Sequence, residues 1–469
     1  MKSNKKIRIE SFVLEKMKSS GLPALSMAII LNDEIIFKRG FGRRNYANGK
    51  SATPKTLYNI GSVAKSFASL SIMQLQEQGK LKILDLVSKY LDICIRPKRK
   101  NIKIKDLMTH TSGIPALGYA GPITLNAVGE NVQYYPIGNV KDMLTYINCS
   151  KNWVETEPGK RWFYLNEGYV LLGGIVEKVS DLSYKEYLKK YIIKPLNMNR
   201  TFFSKEEVES DSDFAQPYLI NDFICEPKSY LYGDIVSDGG IISNTEDMAK
   251  YINLYINKGK TGVISEESIK EMMKPRIPIP INKFFVHKND KIVKADFDSE
   301  QQLKHYAYGL IVDKNIKDHT VIGHGGNSLV ASAHMDFVPK NKIGVIILTN
   351  GTGYSLDNIS KYVLSILLEK STAQLSFRQS EIHLNSLAGL YKGYKNSTSF
   401  IISRDGDFLK MKNTDSSLTK ENIILVPYEF SNNEYRFFTL SNGKRIMADF
   451  QVKENSVELI YERFKLIKK

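Results

Sequence analysis

The chain has 469 residues, 42% hydrophobic and 25% charged, the balance of a globular protein with a sizeable core and more than one small domain. Its net charge of +16 raises nucleic acid or an anionic membrane as partners, but only the termini and residues 95–105 are locally basic, without interleaved aromatics, so neither is expected. Cys94, Cys149 and Cys225 are too few and too scattered for a disulfide framework or a Cys-x-x-Cys metal site, and they read as small buried hydrophobes in a reducing compartment.

The N-terminal stretch starts basic, yet Glu10, Glu15 and Lys16 interrupt the apolar run that a signal peptide needs, so its helical spacing predicts a first helix. No later stretch reaches the roughly 18 uncharged apolar residues of a membrane span, and a soluble cytoplasmic protein is expected. Two β-rich runs flank Asn32-Asp33, a hairpin signal. Residues 62–78 follow the breaker Gly61 and read as a helix with Val63, Phe67, Leu70 and Gln74 along one stripe, stopped by Gly79. Residues 116–140 form a Gly/Pro-spotted loop, a candidate pocket wall.

Residues 167–193 read as helical with a break near Ser180-Asp181, and a further helix starts at Asn244 or Thr245 with Glu246 and Asp247 in its first turn. A Pro-rich stretch, 275–280, leads into a charged segment. Strands are expected near 307–313 and 328–338, followed by "KIGVIILTN", apolar throughout and so buried on both faces, and then by a closing helix, "LDNISKYVLSILLEK". From about Ser371 the texture changes to short alternating runs divided by Asp-Gly, Asn-Asn, Asn-Gly and Glu-Asn turns, an all-β module resembling a small barrel. The expected boundaries are 1–372 for the first domain, 373–384 for a linker and 385–469 for the barrel.

Ser-x-x-Lys occurs at Ser62/Lys65 but also at Ser3/Lys6, Ser417/Lys420 and Ser441/Lys444, so spacing alone decides nothing. Only Ser62 opens a long helix, where residues three apart share a face and the helix N-terminus favours developing negative charge. A lysine held there and partly desolvated can serve as base for the serine hydroxyl. Tyr-x-Asn is equally common, but Tyr164-Leu165-Asn166 follows a Pro-Gly turn and leads into a helix. His-Gly-Gly occurs once, at 324–326, where two glycines beside a strand edge let a ligand approach the backbone. His287, His305, His319, His334 and His383 read as structural, and with no His-x-x-x-His or His-Cys cluster no metal site is expected.

Together these elements resemble the serine β-lactamase and penicillin-binding-protein superfamily, in its class C β-lactamase-like, D-aminopeptidase and esterase branch. The resemblance runs over residues 10–370 through "GSVAKSFASLSIMQLQEQGKLKILDLVSKYL", "IKDLMTHTSGIP", the stretch beginning "PGKRWFYLNEGYVLLGG", "GDIVSDGGIISNTEDMAKYI" and "GHGGNSLVASAHMDFVPKNKIGVIILTN". It implies a mixed α/β fold, an antiparallel sheet flanked by helices with an all-helical lobe, followed by a lipocalin-like C-terminal barrel. It also implies that Ser62 is the acylated nucleophile, that Lys65 helps to deprotonate it and that Tyr164 shuttles the proton to the leaving group. Asn166 would hold the acyl side of the substrate. His324, Gly325 and Gly326 fall where β-lactamases carry Lys-Thr-Gly, and the backbone N–H groups of Ser62 and Asn327 would form the oxyanion hole.

Histidine and glycine in place of lysine and threonine remove groups suited to a free carboxylate, which weighs against penicillins and peptide C-termini. The expected activity is therefore hydrolysis of peptide or other amide substrates through a Ser62 acyl-enzyme, without metal or cofactor. A carboxylesterase, a β-lactamase or penicillin-binding protein, and a ligand-binding module without catalysis are the alternatives. The expected partner is a small-molecule or peptide substrate, with self-association left open. An unperturbed histidine titrates near pH ~6.5, so His324 is expected to add a limb to kcat/KM between about pH 5 and 8.

Overall fold

The computed structural model describes residues 1–221, 223–230, 232–233, 235–259, 261–280, 304–314, 316, 318–415, 422–431 and 433–469, with the backbone alone of Phe285–Lys288 and Lys291–Lys294. The charged segment after residue 280, the side chain of His287 and the Ser417/Lys420 pair lie outside the described residues. Two compact units emerge, one of residues 1–280 and 301–369 and the other of 281–300 and 370–469. Among the described residues no helix is long and apolar enough to cross a membrane.

In the first unit, helix α1 (Ser3–Ser20) ends on Gly21 in the left-handed region at φ 69°, where a residue without Cβ carries no steric penalty. Strands β1 (Ala24–Leu31) and β2 (Glu34–Gly42) pair across Asn32 and Asp33, whose φ values of 49° and 73° make the tight turn that the sequence signals. Helix α2 (Ala64–Glu77) follows a single 3₁₀ turn, Gly61–Val63. Helix α3 (Asn166–Ser180) stops where Asp181 turns left-handed at φ 57°. Helix α4 (Thr245–Ile256) is capped by Asn244, whose side chain accepts from the N–H groups of Glu246 and Asp247 at 2.9 and 3.0 Å.

The remaining strands are β3 (Ile277–Pro278), β4 (Lys304–Tyr306), β5 (Ile311–Asp313), β6 (Val321–Asn327), β7 (Ser332–Val338) and β8 (Ile343–Thr349), and helix α5 (Leu356–Leu367) closes the unit. The eight strands form one antiparallel sheet in the order β2-β1-β8-β7-β6-β5-β4-β3. Strand β8, "IGVIILT", is buried at every residue. Ile346 and Leu348 share a core with Met335, Phe337 and residues of α4, and a Cβ on Gly344 would meet Ile252 of α4 at 2.6 Å. The alternate residues Val345 and Ile347 face the other way, toward the side where α5 packs on the sheet and α1 on α5, with the Phe12 and Tyr362 rings stacked at 3.8 Å.

Three expectations need correction. Residues 64–75 of α2 are all buried, not one stripe, because serines fill the positions between the large residues and bond locally: Ser66 to the Val63 carbonyl at 2.7 Å, Ser71 to that of Phe67 at 2.9 Å. His324-Gly-Gly lies within a strand, β6, and not beside one; strand pairing overrides the low β-propensity of three glycines. Of the cysteines, Cys94 and Cys149 are exposed and Cys225 is half-buried, so none is a core residue, and none is in a disulfide. Within the loop 116–140, residues Ala120–Ala127 also form a short helix with no buried side chain.

In the second unit, helix α6 (Ser376–Leu387) occupies most of the polar stretch read as a linker, and its Leu384 and Leu387 join the barrel core. Strands β9 (Gly389–Lys392), β10 (Ser399–Asp405), β11 (Phe408–Asn413), β12 (Ile423–Phe430), β13 (Glu434–Ser441), β14 (Lys444–Lys453), β15 (Ser456–Tyr461) and β16 (Phe464–Lys468) make a closed barrel. Each strand pairs with the next, and β9 pairs with β16 to remove both edges. Alternate residues such as Ile402, Leu409, Met411, Phe437, Phe450 and Leu459 fill its interior.

The central strand pair predicts a measurable cost. Ile346 is fully buried between Ala28 and Met335, so Ile346→Ala should destabilise the protein by about 2–5 kcal/mol in chemical denaturation.

Candidate active site

The site grows from one turn. Gly61 adopts φ 50°, and the side chain of Asn59 accepts its N–H at 3.0 Å while donating to the Gly239 carbonyl at 3.1 Å. Ile60 N–H donates to Ile241 at 2.9 Å, so the turn is tied to the 239–241 segment by backbone and side chain together. Ser62 follows, half-buried, one turn before the fully buried Lys65. Lys65 Nζ lies 3.0 Å from Ser62 Oγ and donates to the Asp238 carbonyl at 2.6 Å.

Strand β6 closes on this turn from the other side. A Cβ on Gly326 would lie 2.0 Å from the Ile60 oxygen and 3.0 Å from the Ser62 nitrogen, and one on Gly61 would lie 2.8 Å from the Asn327 nitrogen. Pairing with β5 ends at Gly323, which leaves β6 from His324 onward open on that edge. Ser328 N–H donates to Ala331, so Asn327, opposite Ser332, occupies a non-hydrogen-bonded position and its N–H points away from β7, toward Ser62. The backbone nitrogens of Ser62 and Asn327 thus both lie against the contact between Gly61 and Gly326.

Tyr164 is half-buried immediately before α3, with its ring 5.0 Å from Lys65 Nζ. Asn166 is the first residue of that helix and is also half-buried. The structure therefore brings Ser62, Lys65, Tyr164, Gly325, Gly326 and Asn327 to one place, with Asn166 one step further along the same chain segment.

His324 departs from expectation. Its ring is buried, Nδ1 donates to the Gly325 carbonyl at 2.6 Å, and Nε2 accepts from the Tyr306 hydroxyl at 3.0 Å. Burial, reinforced by the Lys65 charge, pushes its pKa down to about 3. The histidine is therefore neutral from pH 5 to 8, both nitrogens are engaged, and the expected kcat/KM limb does not originate there. Its ring centroid stands 6.4 Å from that of Tyr164, so it shapes the pocket through Tyr306 and the strand backbone.

Several residues were not singled out from the sequence. His110, at φ 58°, accepts the Leu165 N–H on Nδ1 at 3.0 Å and the Phe163 N–H on its carbonyl at 2.8 Å, clamping Tyr164 on both sides. Its ring lies 4.2 Å from that of Tyr164, and burial together with Lys65 holds its pKa well below the ordinary value. The Tyr119 hydroxyl donates to the Asp238 carboxylate, and Glu167 accepts the Tyr119 N–H at 3.3 Å. His110 and Asp238 do occur within the quoted segments "IKDLMTHTSGIP" and "GDIVSDGGII", the one signal that could have found them.

Behind β6 lies an ionic network. A Cβ on Gly325 would meet His334 Nδ1 at 3.2 Å, and His334 Nε2 lies 2.9 Å from Asp336. The ligand atoms of His334, Asp336 and Asp357 fall within 4.8 Å of one another, but Lys304 and Lys361 already place ammonium groups 3.1 and 3.0 Å from Asp357. The cluster has its own cations and reads as an ion-pair network.

A helix-opening serine beside a lysine, under an antiparallel sheet with a helical lobe, places the chain among the serine hydrolases of this fold. Residues 9–367 match the family model described as beta-lactamase, and the chain belongs to that family. Residues 372–467 match the model described as the Pab87 octamerisation domain. The structure of the octameric penicillin-binding protein homologue from Pyrococcus abyssi matches with a TM-score of 0.86 at 37% identity, over 98% of this chain and 99% of that one. Protein flp of Staphylococcus aureus (strain MW2) is 24% identical over 348 residues, 73% of this chain, and the match spans 62% of that protein's length. A D-stereospecific amidohydrolase from Streptomyces sp. matches with a TM-score of 0.60 at 19% identity, over 78% of this chain and 99% of that one, a likeness of fold alone.

The depressed pKa of His324 has a definite sign. An unfolded histidine titrates near ~6.5 and the folded one at about 3, so between those values the unfolded chain binds the extra proton. Its contribution to stability is present above pH ~6.5 and is lost as pH falls toward 3. Chemical denaturation at pH 7 and pH 5 should show wild type losing about 2 kcal/mol more than His324→Gln on acidification.

Proposed function

We propose that the chain hydrolyses amide (peptide) bonds by acyl transfer through Ser62. The observation that carries this reading is the 3.0 Å contact of Ser62 Oγ with buried Lys65 Nζ, with the strand end that carries Asn327 packed against the Ser62 turn. Lys65 donates one N–H to the Asp238 carbonyl, and once it has released its extra proton its amine lone pair accepts the Ser62 proton. Oγ attacks the acyl carbon, the oxyanion is held by the Ser62 and Asn327 N–H groups, and Tyr164 passes the proton to the departing amine. Water then attacks the ester carbonyl of the acyl-enzyme, losing its proton through the same groups, and Oγ regains a proton as the acid leaves. Neutral His324, engaged at both nitrogens, offers no cation to a substrate carboxylate, which supports peptides or amides over penicillins.

A fluorophosphonate probe should label the peptide that contains Ser62, and Ser62→Ala should abolish labelling and turnover. Lys65→Ala and Tyr164→Phe should each cost on the order of 10²–10⁴ in rate. Because both act on one proton, the double variant should fall well short of the product of the single losses; a full product would separate their roles.

We further propose that the chain is a homo-oligomer assembled through its C-terminal barrel, supported by the match of residues 372–467 to an octamerisation domain and by the octameric relative from Pyrococcus abyssi. Sedimentation equilibrium of the full chain should give a multiple of 53.3 kDa; a monomer at micromolar concentration would refute this.

A further inference from the structure

The ion-pair network behind β6 takes no part in the acyl-transfer steps, yet it lies against the strand that borders Ser62. Strand residues alternate in direction, so β6 presents two faces. Gly326 on one face meets the Ser62 turn, while Gly323 and Gly325 on the other carry no side chain. Side chains of β7 fill that bare face. A Cβ on Gly323 would lie 2.2 Å from Asp336 Oδ1, and one on Gly325 would lie 3.2 Å from His334 Nδ1. His334 and Gly325 are direct partners in the β6–β7 pairing, and the imidazole leans across onto the Gly325 backbone.

The charges around His334 come from four elements. Its Nε2 lies 2.9 Å from Asp336 on β7 and 3.7 Å from Asp357 on α5. Asp357 and Asp313 of β5 share two ammonium groups, Lys304 of β4 at 3.1 and 3.3 Å and Lys361 of α5 at 3.0 and 2.8 Å. Asp336 also accepts the Ser360 hydroxyl at 2.6 Å. From β6 the titratable neighbour is His324, which is neutral. Among the described residues three carboxylates therefore face two lysines, and the cluster balances only when His334 carries the third positive charge. Burial opposes that charge, but Asp336 and then Asp357 outweigh it and hold the His334 pKa above the ordinary histidine value.

Resting on the serine-hydrolase reading above, we propose that His334 is a positioning residue for acyl transfer: as an imidazolium between Asp336 and Asp357 it braces the Gly325–Gly326 backbone against the Ser62 turn. It touches no reacting atom and acts through the strand. A neutral imidazole would leave one carboxylate of the cluster without a counter-charge in a largely buried place. The backbone free to yield is β6 from His324 onward, whose other edge is open beyond Gly323. Because the folded pKa is raised, the contribution of the proton is present below pH ~6.5 and is lost as pH rises through the raised value. The brace weakens over that same window.

The test follows the rate at which a fluorophosphonate labels Ser62 in the full-length protein between about pH 6 and 9, with circular dichroism showing that each sample is folded. The ratio of wild type to His334→Gln should be about tenfold at the acid end and fall toward one as pH rises, since glutamine fills similar space without charge. Titration of Lys65 and Tyr164 is common to both proteins and cancels in the ratio. His334→Lys keeps a cation throughout, so wild type should lose ground to it as pH rises. A wild type that is labelled but whose ratio to His334→Gln is constant with pH, or is one throughout, would overturn the proposal and leave the histidine a packing residue. Should His334→Gln fail to fold, a pH-independent ratio of wild type to His334→Lys overturns it in the same way. Absence of labelling at Ser62 in wild type at every pH would strike the hydrolase reading and this proposal with it.

Discussion

Nothing larger than hydrogen fits between the turn that carries Ser62 and the strand end that carries Asn327. The Ile60 oxygen and the Asn327 nitrogen occupy the space that Cβ atoms on Gly326 and Gly61 would need. That close approach demands glycine at both positions, a left-handed φ at Gly61, and an edge of β6 left unpaired beyond Gly323. It also explains why α2 is buried on every side: a helix that begins against the sheet must run through the core, and the 307–310 turn presses on it so closely that a Cβ on Gly309 would touch the Lys65 oxygen at 2.7 Å.

Burying α2 buries Lys65, and the rest of the cleft adjusts to that charge. A lysine with no exposure needs partners, and it finds one hydroxyl and one carbonyl within hydrogen-bond reach. Burial, reinforced by its field, keeps His110 and His324 neutral, each with a fixed tautomer set by the backbone group it meets.

Much of this was readable where local chemistry is strong. Asn32-Asp33 announces its turn, "KIGVIILTN" its central strand, and the alternation after residue 385 its barrel, because each depends on neighbours in sequence. Ser62 and Lys65 were legible because three residues make one helical turn. What escaped depends on distant neighbours. Strand β6 holds three glycines and forms because β7 pairs with it from Ile322 to Asn327 and β5 from Val321 to Gly323. Helix α6 is amphipathic through just Leu384 and Leu387 and takes its place on the barrel core. Asp238 lies 173 residues from the lysine it meets, a separation that no local pattern encodes. The exposure of Cys94 and Cys149 likewise follows from the packing around them and not from their type.

The two donors beside Ser62 belong to the main chain, so their identity does not depend on which side chain stands at Asn327. That side chain is exposed and accepts the Leu329 N–H at 2.8 Å, a local turn contact that many polar residues can make. Lineages that share this backbone can therefore exchange the exposed side chain at Asn327 while the close approach of the Ser62 turn to β6 is kept unchanged. Divergence of the rim on a conserved core is a route by which one scaffold supplies a range of hydrolases.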